Sequence, residues 1–168
     1  SGSWVTGDAL EQFESLRHTL HREPETGFAV DRTGSLLADR LREAGLEVTT
    51  GVGGTGLVAT LRRGTSDRAI GLRADMDALP IEEANDFEHR STVAGRFHGC
   101  GHDGHSAMLV GAAERLAAEG GIDGAVHFVF QPDEENGRGA QAMIDDGLFE
   151  RFPMGEIHGL HNLPGLPV

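Results

Sequence analysis

Short apolar runs that predict β-strands alternate along this chain with segments that have the three-to-four residue spacing of amphipathic helices. The predicted strands are LEVTT, GLVATLRR, RAIGLRADM, GAVHFVFQP and EIHGLHN, and the predicted helices are residues 8–22, DRTGSLLADRLREAG, SAMLVGAAERLAAEG and GRGAQAMIDDGLF. Alternation of this kind is typical of an α/β sheet with helices on both faces. The sequence therefore predicts a three-layer α/β/α fold.

The first predicted helix shows the pattern most simply. Leu10, Phe13, Leu16 and Leu20 recur at spacings of three and four, so we expect all four side chains on its buried face.

Composition and charge narrow the class of protein. The net charge of −13 argues against nucleic acid and anionic membranes as partners, because both would repel the chain. A single cysteine cannot form an internal disulfide, which favours a reducing cytoplasm, and no apolar run approaches the ~20 residues of a membrane span. We predict a cytoplasmic protein in which residues 1–3 are a tag remnant and residues 4–168 form one domain.

Acidic and imidazole side chains lie at or just past the ends of three of the predicted strands. Asp75 is the next-to-last residue of RAIGLRADM and Asp77 follows that stretch, the pair Glu134 and Glu135 follows GAVHFVFQP, and His161 is the next-to-last residue of EIHGLHN. In α/β sheets, functional groups gather in the loops past the carboxyl ends of strands. Asp75 and Asp77 would face the same side if the extended run continued, although a capping and turn pair before Pro80 is the simpler alternative.

The stretch FHGCGHDGHSAML contains three of the nine histidines and the only cysteine. Cys100 and His102 lie two positions apart in a predicted glycine-flanked loop, where both side chains can turn to one point. Thiolate and imidazole suit zinc or another late first-row divalent ion, and hard magnesium suits them poorly. A buried cysteine beside surface histidines is the alternative, but the three acid- or imidazole-bearing strand ends favour a metal site.

The adjacent glutamates have two interpretations. Paired acids usually just face solvent, but at a strand end neighbouring side chains point to different sides. Glu135 could then bind metal while Glu134 stays free as a base. His158 and His161 lie three apart in a predicted strand, so at most one of them should be a ligand.

Six stretches taken together resemble the amidohydrolase branch of the aminoacylase and carboxypeptidase superfamily of dinuclear metallopeptidases. They are LHREPETGF, GTGLVATL, GLRADMDALPI, FHGCGHDGHSAMLVGAA, VHFVFQPDEENGRGAQAMIDDGLF and GLHNLPGLPV, in family order. That branch includes hippurate hydrolases, N-acyl-amino-acid amidohydrolases and auxin-conjugate hydrolases. The resemblance implies a zinc-peptidase-like catalytic domain with a mixed sheet. It also implies that residues 4–168 are its N-terminal part, with the lid domain and the C-terminal part absent.

Carried over by position, the family's metal ligands fall on Cys100, His102, Glu135 and His161, and its general base falls on Glu134. The resemblance implies two divalent ions per complete site, drawn from Zn, Mn, Co or Ni.

Other motif positions receive supporting roles from the resemblance. Asp77 matches a catalytic-site aspartate that supports a ligand histidine in wider relatives, and Asp75 stands at that histidine's place. Asp103 and His105 are expected to support the site or cap a helix, and His21 is expected near the site.

The activity that the resemblance implies is metal-dependent hydrolysis of the amide bond of an N-acyl amino acid. A dipeptidase, an N-deacetylase and an inactive metal-binding fragment are the alternatives. Because relatives continue past GLPV into a lid that brings further groups, we expect the 168-residue chain alone to bind metal with little turnover. Full-length relatives are expected to be homo-oligomers.

Three positions depart from the family pattern beside the glutamate pair. Asp133 replaces a small residue, and Asn136 and Arg138 lie in a loop that is often richer in glycine. Gly99 replaces a common alanine before Cys100. We expect these changes to tune the site.

Overall fold

The computed structural model of the protein describes residues 7–163 and residue 165. The helices are α1 (Gly7–Arg22), α2 (Asp31–Glu43), α3 (His102–Glu119), α4 (Gly139–Asp145) and α5 (Leu148–Arg151), and the strands are β1 (Glu47–Val52), β2 (Gly56–Arg63), β3 (Ala69–Asp75), β4 (Gly124–Gln131) and β5 (Glu156–Gly159). All five predicted strands are therefore present. The predicted tag remnant lies outside the described residues, so the domain division at residue 4 stays a prediction.

The strands form one mixed sheet in the order β1-β2-β4-β3-β5. The β1–β2 and β2–β4 pairs are antiparallel, whereas β3 runs parallel to both β4 and β5. All eight residues of β4 are buried, as expected for an apolar strand inside a sheet. The mixed sheet implied by the family resemblance is confirmed.

Helices cover both faces of this sheet. Along β4, Phe128 and Phe130 join the larger core under α1, α2 and α3, while Val129 faces the smaller core with Met143 of α4 and Leu148 of α5. This alternation follows from the two-residue period of a strand. The predicted three-layer arrangement is confirmed.

Some predicted helix details are wrong. Leu10 is 59% exposed, because the buried residues of α1 belong to its later turns. The stretch GRGAQAMIDDGLF forms two short helices, since Gly147 adopts a left-handed φ of 80° between α4 and α5. The helix predicted from Ser106 onward begins four residues earlier, at His102.

Membrane-spanning character is absent from the described part of the chain, where no helix is both long enough and apolar enough to cross a bilayer.

The junction of β4 and α4 allows a direct test of the fold. A Cβ on Gly139 would overlap the carbonyl oxygen of Pro132, whereas a Cβ on Gly104 of α3 would have no atom within 4 Å. We predict that Gly139→Ala lowers the free energy of unfolding by about 1–3 kcal/mol through overpacking. The control Gly104→Ala, in the first turn of α3, should raise it by no more than about 0.5–1 kcal/mol, because alanine has a higher helix propensity than glycine.

Urea unfolding of both variants and the parent measures these changes. Equal effects of the two substitutions would contradict the close approach of α4 to the end of β4.

Candidate metal centre

The parallel strands β3, β4 and β5 bring their carboxyl ends to one edge of the sheet. In the register, Asp75 lies beside Gln131 and Arg73 beside Gly159. The segments that follow these three strands, together with the start of α3, therefore meet at this edge.

His102, the first residue of α3, occupies the centre of this meeting point. Its side chain is 0% exposed. Its Nδ1 lies 2.7 Å from the backbone carbonyl oxygen of Asp77, so Nδ1–H donates to that carbonyl and the Nε2 lone pair is left free. Sequence reasoning placed His102 in a loop. The loop ends one residue before it, at Gly101, whose φ of 84° turns the backbone into the helix.

Three carboxylates surround the free nitrogen of His102. From Nε2, Asp75 Oδ2 lies at 3.6 Å, Glu134 Oε2 at 3.6 Å and Glu135 Oε1 at 3.7 Å. These separations are too long for hydrogen bonds. If two ligand atoms each lie about 2.1 Å from the same ion, they are no more than about 4.2 Å apart. The spacing around His102 Nε2 therefore has room for one metal ion.

Two of these atoms are buried without a hydrogen-bond partner in the described part of the chain: His102 Nε2 and Glu135 Oε1. Buried polar atoms normally have partners, and an ion would satisfy both of these. The residues present therefore fit a divalent metal.

The Cys100 thiol lies beside this pair. One ligand atom each from Cys100, His102 and Glu135 all lie within 4.8 Å of one another. A hydrogen bond with Glu135, followed by burial and by the charge of Glu135, raises the pKa of Cys100 to about 11. The thiol is therefore protonated at neutral pH, and metal binding would release that proton.

A second group of possible ligands adjoins the first through His102. It consists of Asp75, His102, His105 and His161, again with one ligand atom each within 4.8 Å. Both ring nitrogens of His105 are already engaged, Nδ1 with Asp75 Oδ1 at 2.7 Å and Nε2 with Asn162 Oδ1 at 2.7 Å. His161 is exposed, and its ring centroid lies 5.7 Å from that of His102. His161 is thus the freer of the two histidines to bind an ion.

Asp77 is fully buried and holds the segments together. Its Oδ1 accepts the backbone N–H of Glu134 at 2.9 Å, and its Oδ2 accepts that of Glu135 at 3.2 Å. The condition under which Asp75 and Asp77 would face the same side of a strand is not met, because β3 ends at Asp75. The two carboxylates instead flank the His102 ring, Asp75 3.6 Å from Nε2 and Asp77 Oδ1 3.6 Å from Nδ1.

Asp75 stays ionised despite complete burial. Burial by itself would raise its pKa, but the hydrogen bond from His105 and the charge of Arg73 contribute to lowering the pKa to about 2. Arg73 Nη1 lies 2.8 Å from Asp75 Oδ2.

The glutamate pair lies in a turn, not on an extended strand end. The prediction that the two side chains point to different sides is therefore wrong, and both carboxylates lie within 3.7 Å of the same His102 nitrogen. The physical reason is Asp133, whose φ of 48° ends the extended backbone of β4.

A second buried network supports the start of α3 from behind. His21 Nδ1 lies 2.8 Å from Asp103 Oδ2, and His21 Nε2 lies 3.1 Å from Glu83 Oε1. Burial lowers the pKa of His21, but the hydrogen bonds and charges of Asp103 and Glu83 outweigh it and raise the pKa. His21 is thus near the site, as expected, and joins α1 to the residue that follows His102.

Three residues in this region were not assigned from the sequence. Glu83 lies in the irregular stretch IEEANDF and carries no pattern, and Asn162 is recognisable only as part of a motif. His98 is 4% exposed, and both of its ring nitrogens lack a hydrogen-bond partner in the described part of the chain. Burial lowers the pKa of His98 to about 4.

His158 is exposed on β5 and belongs to neither candidate ligand group.

Comparison with known proteins gives the family. Residues 71–168 match peptidase family M20/M25/M40. The chain belongs to this family. The peptidase-family resemblance seen in the sequence is thereby confirmed.

Individual relatives agree with that assignment. The chain is 46% identical over 157 residues to hippurate hydrolase of Campylobacter jejuni, covering 94% of this chain and 41% of that protein. It is 39% identical over 162 residues to IAA-amino acid hydrolase ILR1-like 5 of Arabidopsis thaliana, covering 95% of this chain and 37% of that protein. The chain thus spans about two fifths of the length of these M20 relatives.

A solved M20 structure has the same fold. The YXEP protein of Bacillus subtilis, described as a dinuclear metal binding peptidase, superimposes with a TM-score of 0.90 at 34% identity. The match covers 97% of this chain and 46% of that one.

The His21 network generates a prediction about pH. Because the folded-state pKa of His21 is raised, its stabilising effect is fully present below the unfolded-state value near 6.5 and is lost as pH rises through the folded-state pKa. The lowered pKa of Glu83 sets the acid limit, since its contribution is lost as pH falls below its ordinary value of 4.5. The stability difference between the parent and His21→Gln should therefore be largest between about pH 4.5 and 6.5.

Urea unfolding across pH 4 to 9 measures this difference, with His158→Gln on exposed β5 as the control. A loss of stability in His21→Gln that is the same at pH 5.5 and pH 9 would show that no charged imidazole is held between the two carboxylates.

Proposed function

We propose that this chain contributes to a binuclear metal centre that hydrolyses the amide bond of N-acyl amino acids of the hippurate class. The observation that carries the proposal is the free, buried Nε2 of His102, which faces three carboxylates at 3.6–3.7 Å beside a thiol. Relatives named hippurate hydrolase, IAA-amino acid hydrolase and N-acetyldiaminopimelate deacetylase support the substrate class, because these names have in common an acyl group on an amino-acid nitrogen.

We assign Cys100, His102, Glu135 and His161 as ligands. Sulfur, nitrogen and oxygen donors in one set suit Zn, Co, Ni or Mn better than magnesium. The carboxylates around His102 also favour a bound cation. Arg73 pairs with Asp75 and so offsets the charge of only that one carboxylate.

When bound, a divalent ion supplies Lewis acidity that activates water and polarises the substrate carbonyl. Glu134 is the proposed general base. Its side chain is 35% exposed, compared with 17% for Glu135, so it is the more accessible of the two to water and substrate. Glu134 takes a proton from the water that attacks the amide carbon and returns it to the leaving nitrogen as the C–N bond breaks. The products are a free amino acid and a carboxylic acid.

Asp77 acts through its neighbours in this scheme. Its carbonyl orients His102, and its carboxylate holds the backbone N–H groups of Glu134 and Glu135. It is therefore a positioning residue.

The ligand assignment predicts how metal affinity changes on substitution. Cys100→Ser and His161→Ala should each weaken Zn²⁺ binding by at least about tenfold, because each removes a donor from the site. His158→Ala, which removes a histidine from the same part of the chain, should leave the affinity unchanged.

Isothermal titration calorimetry on the 168-residue chain with Zn²⁺ measures these affinities. Parent-like binding by Cys100→Ser would remove the thiol from the ligand set.

The base assignment predicts a loss of turnover without a loss of metal. Glu134→Gln should lower kcat by about 10²- to 10⁴-fold, because glutamine cannot accept the proton, while metal affinity stays at the parent level. The control Glu156→Gln changes an exposed acid of β5 and should leave kcat unchanged.

Turnover is measured on the complete gene product with hippurate, N-acetyl amino acids and dipeptides. Unchanged kcat in Glu134→Gln would exclude it as the base. A clear preference for dipeptides or for acetyl groups would replace the hippurate class by the dipeptidase or the deacetylase alternative.

A further inference from the structure

The turn that carries Glu134 and Glu135 is held by three side chains from the segment that joins β4 to α4. They are Asp133, Asn136 and Arg138, and together we call them the turn clamp. In the structure they form one connected group, because Asn136 and Arg138 both bond to the carboxylate of Asp133.

Asp133 sets the path of the backbone. Among the described residues it is the only non-glycine with a positive φ, at 48°, a conformation that aspartate tolerates better than most residues. Its N–H donates to the Gly27 carbonyl at 3.1 Å, and its own carbonyl accepts the N–H groups of Arg138 at 3.2 Å and Gly139 at 3.1 Å. The chain thereby closes a tight turn immediately after β4.

The Asp133 side chain adds further hydrogen bonds within the same turn. Its carboxylate is 0% exposed, and its Oδ1 accepts Asn136 Nδ2 at 2.5 Å while its Oδ2 accepts Arg138 Nε at 2.8 Å. The Arg138 guanidinium also lies 5.5 Å from the centre of the Phe28 ring. A buried carboxylate is costly unless it is paired, so the aspartate depends on both partners.

The opposite side of the same turn is held by Asp77 through the N–H groups of Glu134 and Glu135. Two buried carboxylates therefore hold the turn. Asp77 binds backbone N–H groups of the turn, and Asp133 binds the side chains of Asn136 and Arg138. Ligand atoms must be placed to within roughly 0.2 Å for good coordination, so slack in this turn would move Glu135 out of range of an ion on His102.

We propose that the turn clamp is a set of positioning residues for the metal centre, fixing Glu135 at ligand distance and Glu134 beside it. This role rests on the metal-dependent function proposed above. It assigns a purpose to three residues that belong to neither candidate ligand group.

The test measures Co²⁺ affinity of the complete gene product by isothermal titration calorimetry, together with the thiolate-to-cobalt charge-transfer absorption. Arg138→Ala should weaken Co²⁺ binding roughly tenfold, because it leaves the buried carboxylate without its cation. Asp133→Gly should have a similar effect, since glycine keeps the positive φ and removes only the carboxylate. The double variant should bind no more weakly than Asp133→Gly, because Arg138 has nothing left to hold.

Two further variants separate positioning from general stability. Arg138→Lys retains a cation and should recover part of the affinity. Arg151→Ala breaks a surface ion pair with Asp146 and should leave Co²⁺ binding unchanged. Because the Arg138 side chain is 66% exposed, its replacement removes little core packing.

The outcomes are distinguishable. If the parent protein binds no Co²⁺, both the metal-dependent function and the positioning role are contradicted. A parent that binds Co²⁺, combined with Arg138→Ala and Asp133→Gly variants that melt earlier yet bind it equally well, overturns the positioning role alone. Additive losses in the double variant would also overturn it, since they would show that the two side chains act separately.

Discussion

The hydrogen bond from His102 Nδ1 to the Asp77 carbonyl, 2.7 Å long, determines the rest of the site. It fixes the imidazole tautomer and aims Nε2 at the carboxylates. The Asp77 side chain simultaneously binds the backbone of Glu134 and Glu135, so one residue aligns the proposed ligand His102 of α3 with the turn after β4. Without the contacts of Asp77, the start of α3 and the turn after β4 would not be fixed relative to each other.

The sheet makes this contact possible. Because β3, β4 and β5 run in the same direction, the segments that follow them begin at the same edge of the sheet. The segment after β5 places His161 beside His102. The resulting concentration of carboxylates around one imidazole is unfavourable unless a cation joins it. Two buried acids of this region, Asp75 and Asp133, each have an arginine partner that offsets their charge.

The sequence predicts the layers and the ligand candidates because these depend on local pattern and residue type. Apolar runs locate all five strands, and the spacing of Cys100 and His102 indicates a soft metal site. The exact geometry depends on contacts distant in sequence. The start of α3 follows from the φ of Gly101, and the glutamate turn follows from Asp133 packing against Gly27. Likewise, the role of Glu83 is visible only once folding places it against His21 from 62 residues away.

The most direct test of the central claim is X-ray absorption spectroscopy at the zinc edge of the zinc-loaded protein. If Cys100 and His102 bind the same ion, the spectrum will contain one sulfur neighbour at about 2.3 Å together with nitrogen and oxygen neighbours at about 2.0–2.2 Å. The sulfur contribution should vanish when Cys100 is replaced by serine. A first coordination shell of nitrogen and oxygen alone in the unsubstituted protein would contradict the account.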